Sequence, residues 1–136
     1  MTPHPTERIA AEGAPKPIGP YSQALRAGEL VFCSGQIGVD PANGQLVGPD
    51  VSDQARRVMR NLSAVLTAAG GTLGDVVKTT IFLVDMADFA AVNAVYGEDF
   101  GEVAPARSTV AVAALPLGAR VEIEAIALLR RGRVGL

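Results

Sequence analysis

Apolar positions along this chain follow two periods, one of helices and one of strands. Between residues 51 and 69 they fall at Val51, Ala55, Val58, Leu62, Val65, Leu66 and Ala69, the spacing of a single helix face. Asp50 or Ser52 can cap the start of that helix, and Gly70-Gly71 can end it in a left-handed turn. A second helix is predicted over 88–100, with Phe89, Val92, Val95 and Tyr96 on one face and Asp88 near its start. The remaining apolar runs are short. Residues 22–26, 30–34, 76–84, 108–114 and 121–129 predict strands, and the β-branched run 76–84 reads as a central one. Gly, Pro and Asn gather over 40–49, which predicts a loop. Pro15, Pro17, Gly19 and Pro20 make a stiff, extended lead-in. Residues 1–16 are expected to be a flexible N-terminal segment.

The order is β-β-α-β-α-β-β, within one domain spanning residues 1–136. It predicts an α+β fold, a mixed β-sheet with two helices packed on one face. The other face is then open. In the last strand one face carries Val121, Ile123, Ala125 and Ala127, while the opposite one carries Glu122, Glu124, Ile126 and Leu128. A monomer would expose this half-acidic, half-apolar face, so subunits are expected to pack against it.

Composition narrows the function classes. The 136 residues include 12 Lys and Arg against 14 Asp and Glu, a formal net charge of -2. No basic stripe is present apart from Arg130, Arg131 and Arg133 near the end, read as a solvated terminus, so no nucleic-acid partner is expected. Cys33 is the single cysteine. It can make no internal disulfide and reads as a small core residue. The first 19 residues hold no apolar run and no stretch reaches membrane-spanning length, so neither a secretory signal nor a membrane partner is expected. The cytoplasm is the expected location. The sequon Asn61-Leu62-Ser63 falls inside the first predicted helix and reads as chance.

Several chemistries are missing. The chain has no G-x-x-x-x-G-K-[ST], G-x-G-x-x-G, H-E-x-x-H or G-x-S-x-G, and His4 is its only histidine. A Ser-His-Asp triad and a histidine metal site are therefore not expected, and no metal is assigned. Arg, Glu, Tyr, Ser and backbone groups remain to carry any chemistry.

Four segments resemble the RidA/YjgF family of enamine/imine deaminases. They are Ile18-Gly19-Pro20-Tyr21-Ser22-Gln23-Ala24, then Ser34-Gly35-Gln36-Ile37, then Val92-Asn93 with Tyr96, and Pro105-Ala106-Arg107-Ser108 leading to Leu115-Pro116 and Val121-Glu122-Ile123-Glu124-Ala125-Ile126-Ala127. The first helix and Gly74-Asp75-Val76-Val77-Lys78-Thr79-Thr80 match in order and spacing. The resemblance covers nearly the whole chain. It implies a chorismate-mutase-like fold assembled as a homotrimer, with active sites in clefts between subunits. The implied reaction turns 2-aminoacrylate, or its 2-iminopropanoate tautomer, into pyruvate and ammonia without a cofactor. Carried over by position, Arg107 would hold the substrate carboxylate and Glu122 would stand beside the attacking water. Tyr21, Ser34, Gly35 and Asn93 match pocket positions. Thr109 stands where the family often has Cys, and its backbone is the expected contact. The segment 101–104 is shortened and lacks an aromatic that is common there, which leaves substrate size open.

The residues themselves agree with this chemistry. Arg offers a planar fork that matches a carboxylate at two points, and each charged hydrogen bond contributes about 1.5–3 kcal/mol. Glu122 can order and deprotonate a water, and positioned acid–base help contributes roughly 10²–10⁴-fold. In Arg107-Ser108-Thr109 strand alternation puts Arg107 and Thr109 on one face. If the last two strands are neighbours, Arg107 and Glu122 both open on the face away from the helices. Three rival functions are weighed. One is a non-catalytic trimer that binds or senses a keto acid, which would need Arg107 but not Glu122. Another is a deaminase of a larger, aminomuconate-type acid. The third, a ribonuclease or translation inhibitor, is disfavoured by the acidic charge balance.

Overall fold

A computed structural model describes residues 6–130. The strands are β1 (Thr6–Ile9), β2 (Ala24–Ala27), β3 (Leu30–Ile37), β4 (Val39–Asp40), β5 (Gln45–Leu46), β6 (Val76–Leu83), β7 (Ala106–Ala111) and β8 (Val121–Leu128); the helices are α1 (Val51–Ala68) and α2 (Phe89–Gly97). Short 3-10 turns occupy Leu73–Asp75, Met86–Asp88 and Pro116–Gly118.

The main sheet runs β1-β2-β3-β8-β6-β7. All its pairs are antiparallel except β6 with β7, which are parallel. A parallel pair needs a crossover, and α2 supplies it. β3 and β6 are separated by α1 in sequence and leave a slot between them that β8, the last strand, fills. The two helices pack on one face, as an α+β fold requires.

Local chemistry explains the helix limits. The Asp50 side chain accepts from the backbone N–H groups of Ser52 (2.8 Å) and Asp53 (3.1 Å), which starts α1. Gly70 follows its end at φ 91°, a left-handed position that only glycine adopts freely. α2 begins at Phe89 rather than at residue 88. Asp85 caps the preceding 3-10 turn through Ala87 N–H at 2.9 Å. Asp88 instead takes Arg120 at two points, 2.6 and 3.2 Å, and caps nothing.

The core lies between α1, α2 and one face of the sheet. In β8, Val121, Ile123, Ala125 and Ala127 are buried, whereas Glu122, Ile126 and Leu128 are partly exposed and Glu124 is exposed. The open face also carries Phe32, 44% exposed, and Leu25, 40% exposed. Cys33 is buried, and burial pushes its thiol up to about 11. Asn61 is fully buried and donates to the carbonyls of Ile37 (3.2 Å) and Val39 (3.0 Å), so the sequon offers no surface acceptor.

Four sequence expectations need correction. The segment 1–16 is not wholly irregular: Thr6–Ile9 pairs with β2, and Ile9 and Ala14 are buried. The amide of Gln23 holds residues 11–15, accepting from Ala11 N–H and donating to the carbonyls of Ala11, Ala14 and Pro15. His4, Arg131 and Arg133 lie outside the described residues. The loop expected over 40–49 is partly strand: Asp40 belongs to β4, which pairs with β5 inside that stretch. The last two strands are not neighbours, because β6 lies between β7 and β8. Arg107 therefore does not open on the same face as Glu122: its register partner is Thr79, a buried residue of the helix-covered face.

Candidate active site

The sequence candidates fall into two groups on opposite sides of the sheet. The first is centred on Glu122, which β8 presents on the open face. A bulge in β3 between Cys33 and Gln36 brings Ser34 and Gly35 up to it. A Cβ at position 35 would lie 2.0 Å from Glu122 Oε2, so the carboxylate occupies the space a side chain would take. Gly35→Ala should displace Glu122 while sparing the backbone, which has no positive φ there. The expected result is a loss of about 10²-fold in kcat with little change in thermal midpoint. An unchanged kcat would show that the carboxylate position is unimportant.

Ser34 fixes the adjoining loop. Its N–H donates to Gln23 carbonyl at 2.9 Å and its hydroxyl donates to Ser22 carbonyl at 2.6 Å. This tethers the residues beside Tyr21, whose ring is half exposed and whose N–H donates to Gly19 carbonyl at 2.9 Å. The Ser34 hydroxyl proton is thus already engaged in holding the neighbouring backbone. A groove of about 650 Å³ continues from Gly35 past Ile37, Pro15, Ile18 and Leu117. The Glu122 carboxyl titrates above the ordinary glutamate range. Burial is the larger cause and the neighbouring charge of Glu124 the smaller.

The second group lies on the helix-covered side, along β7 and α2. The Arg107 guanidinium lies 5.0 Å from the Tyr96 ring centroid and 5.6 Å from that of Phe89, both cation–π distances. Phe89, Asn93 and Tyr96 follow one another at helical spacing on α2, so the three share one face of the helix. The Arg107 side chain makes no hydrogen bond or ion pair with any described residue. It is held in place and its charge is unanswered. Thr109 shares its face, and the Thr109 Oγ1 is buried with no hydrogen-bond partner. β7 is the outer strand, so alternate backbone groups of the strand point away from β6.

Sequence reasoning singled out Arg107 but not the two rings beside it. Phe89 and Tyr96 read as core residues at helical spacing. The available signal was a tyrosine on an apolar stripe, whose hydroxyl requires a partner. Among the described residues no three His, Cys, Asp or Glu side chains group to hold a metal ion. No described helix is long and apolar enough to cross a membrane.

One chain thus carries the Glu122 carboxylate and the Arg107 guanidinium on different faces of its sheet. Known proteins share this fold. The family model for Endoribonuclease L-PSP matches residues 11–129. A RutC family protein of Pyrococcus horikoshii is 54% identical over 121 residues, which cover 89% of this chain and 96% of the relative. The 2-iminobutanoate/2-iminopropanoate deaminase of Mus musculus is 49% identical over 120 residues, covering 88% of this chain and 89% of that protein. Among solved structures, E. coli TdcF with bound serine superposes with a TM-score of 0.87 at 45% identity, over 91% of this chain and 99% of its own. Matches of this extent carry the resemblance seen in the motifs through the whole fold, and the chain belongs to the RidA/YjgF family.

Proposed function

We propose that this protein hydrolyses 2-imino acids, with their 2-enamine tautomers, to 2-keto acids and ammonia at sites shared between two copies of the chain. The observation that carries the reading is the separation of Arg107 and Glu122 onto opposite faces of one sheet. A single chain cannot bring them to one small substrate. A second copy packed on the open face can, and the exposed Phe32 and Leu25 with the partly buried Ile126 and Leu128 give that face a reason to be covered. The named deaminase among the relatives supports the reaction class. The serine in the E. coli TdcF structure has the amino-acid carboxylate that Arg107 suits.

The chemistry uses both half-sites. Arg107 takes the carboxylate through its fork and is already oriented by two rings. Protonation of the enamine at its terminal carbon gives the protonated imine, the iminium, which is the form that water attacks. Glu122 accepts a proton from water as the oxygen attacks the imine carbon. The tetrahedral adduct then collapses: the nitrogen takes the proton back from Glu122, the carbon–nitrogen bond breaks to release ammonia, and the hydroxyl passes its proton to the freed Glu122 carboxylate as the carbonyl forms. One water is consumed and no redox change occurs. A nuclease reading, suggested by the family model's description, finds no basic stripe in a chain of net charge -2.

Coupling a serine/threonine dehydratase to the protein and following keto-acid release tests the reaction, and a series of amino acids reads the substrate size. Mixing subunits tests the shared site. Arg107→Ala and Glu122→Gln chains should each be inactive alone. Co-assembled in equal amounts, roughly a quarter of their interfaces would pair an intact Arg107 with an intact Glu122, as symmetric assembly dictates. Activity should return to about that share, in particles of three times the 14.0 kDa chain mass by light scattering. A 14.0 kDa monomer, or no recovery on mixing, would overturn the shared site.

A further inference from the structure

The supports of Arg107 form a closed set. Tyr96 is 5% exposed, and its hydroxyl lies 2.7 Å from Thr79 Oγ1. Thr79 is 2% exposed and is the register partner of Arg107 across the β6-β7 pair. Register partners stand side by side on one face, about 4.8 Å apart. Tyr96 therefore bridges two adjacent residues, with its hydroxyl bonded to Thr79 and its ring beside the guanidinium of Arg107.

Thr79 is unusual for its place. The next buried positions on β6 are Ile81 and Leu83, and Val would fill the same space. A hydroxyl at that depth is destabilising unless it is bonded. Each of these two buried hydroxyls has the other as partner. Their bond fixes the polar end of the ring, and with it the aromatic surface on which the guanidinium rests. An arginine held this way loses little freedom on binding a carboxylate, whereas a free one must be ordered.

The geometry points to Thr79 and Tyr96 as positioning residues for Arg107: their buried hydroxyl pair fixes the ring that holds the guanidinium ready for a substrate carboxylate. This rests on the reading of Arg107 as the carboxylate clamp. Glu122 lies on the other face, so loosening the pair weakens ground-state binding and leaves the attack of water intact. That is a KM effect with kcat retained.

The test uses the full chain as Thr79→Val, Tyr96→Phe and the double variant. Readouts are thermal midpoint, pyruvate affinity by calorimetry, KM with kcat, and the Arg107 Hε resonance, which senses the ring current. Each single change strands one buried hydroxyl and should lower the thermal midpoint, and the double variant should recover part of that loss. In all three, pyruvate should bind about three- to tenfold more weakly, the scale of one cation–π contact. KM should rise by the same factor, kcat should hold, and the Arg107 Hε signal should shift. If affinity and resonance return with the thermal midpoint in the double variant, or never change, the pair is a core anchor only and the proposal falls. A wild-type protein that binds no pyruvate overturns the carboxylate reading instead, and the Arg107 resonance in Thr79→Val still decides the positioning role.

Discussion

Arg107→Ala is expected to bring turnover close to the uncatalysed rate and to abolish pyruvate binding in a calorimetric titration. The guanidinium is the one full positive charge on β7 and α2, and it rests beside the Phe89 and Tyr96 rings. Losing two charged hydrogen bonds to a carboxylate, at about 1.5–3 kcal/mol each, weakens binding by orders of magnitude. The substrate is then no longer placed before the water. The fold should survive. Arg107 lies partly exposed on an outer strand and makes no ion pair with a described residue, so its stability effect should stay within about 1 kcal/mol, as for surface changes elsewhere. Arg107→Lys keeps the charge but loses both the fork and the flat stacking surface, so its main effect should be a raised KM. Normal pyruvate binding by Arg107→Ala would place the ligand elsewhere and end the assignment.

How far the sequence led depends on how local each feature is. The first helix was expected over 51–69 and runs Val51–Ala68, because stripe, cap and terminal glycine all lie within or beside it. The alternation of β8 was legible residue by residue, since strand period fixes which side chains share a face. What alternation cannot say is which face meets the helices. Arg107 and Thr109 were correctly placed together and wrongly placed with Glu122. That depended on β8 entering between β3 and β6, a non-local pairing with no mark in the 108–129 stretch. β1 was missed for a similar reason. Only Ile9 of its four residues is buried, and it exists through pairing with β2 near the grip of Gln23 on residues 11–15. The β4-β5 strands, two residues each, are too short for a period to show. In the candidate site the charged residues were visible by type. The supports were not, because aromatics at helical spacing look alike whether they fill a core or carry a cation.

Glu122→Gln should lower kcat by about 10²–10⁴-fold, the range for a positioned general base, while pyruvate still binds through Arg107. This separates catalysis from sensing: a keto-acid-binding trimer would not need the carboxylate, and full activity in Glu122→Gln would sink its role as base. Two pH effects distinguish it from an ordinary surface glutamate. The carboxyl is raised by burial and by Glu124, so the base form is lost on acidification at a higher pH than usual, and the acidic limb of the kcat profile should lie above the free glutamate value of about 4.3. The stability effect has the opposite sense. With the folded pKa above the unfolded one, the folded chain binds more protons between the two values, so stability falls as pH rises through that window. Above it the buried charge opposes folding. Glu122→Gln removes that opposition, so its thermal midpoint should exceed wild type at neutral pH, with the gain vanishing below about pH 4.3. A variant slower in turnover yet more heat-resistant at pH 7 is the combined signature of a base kept in a partly dry cleft. A variant both slower and less stable at pH 7 would mean that the carboxylate holds the fold together rather than the water.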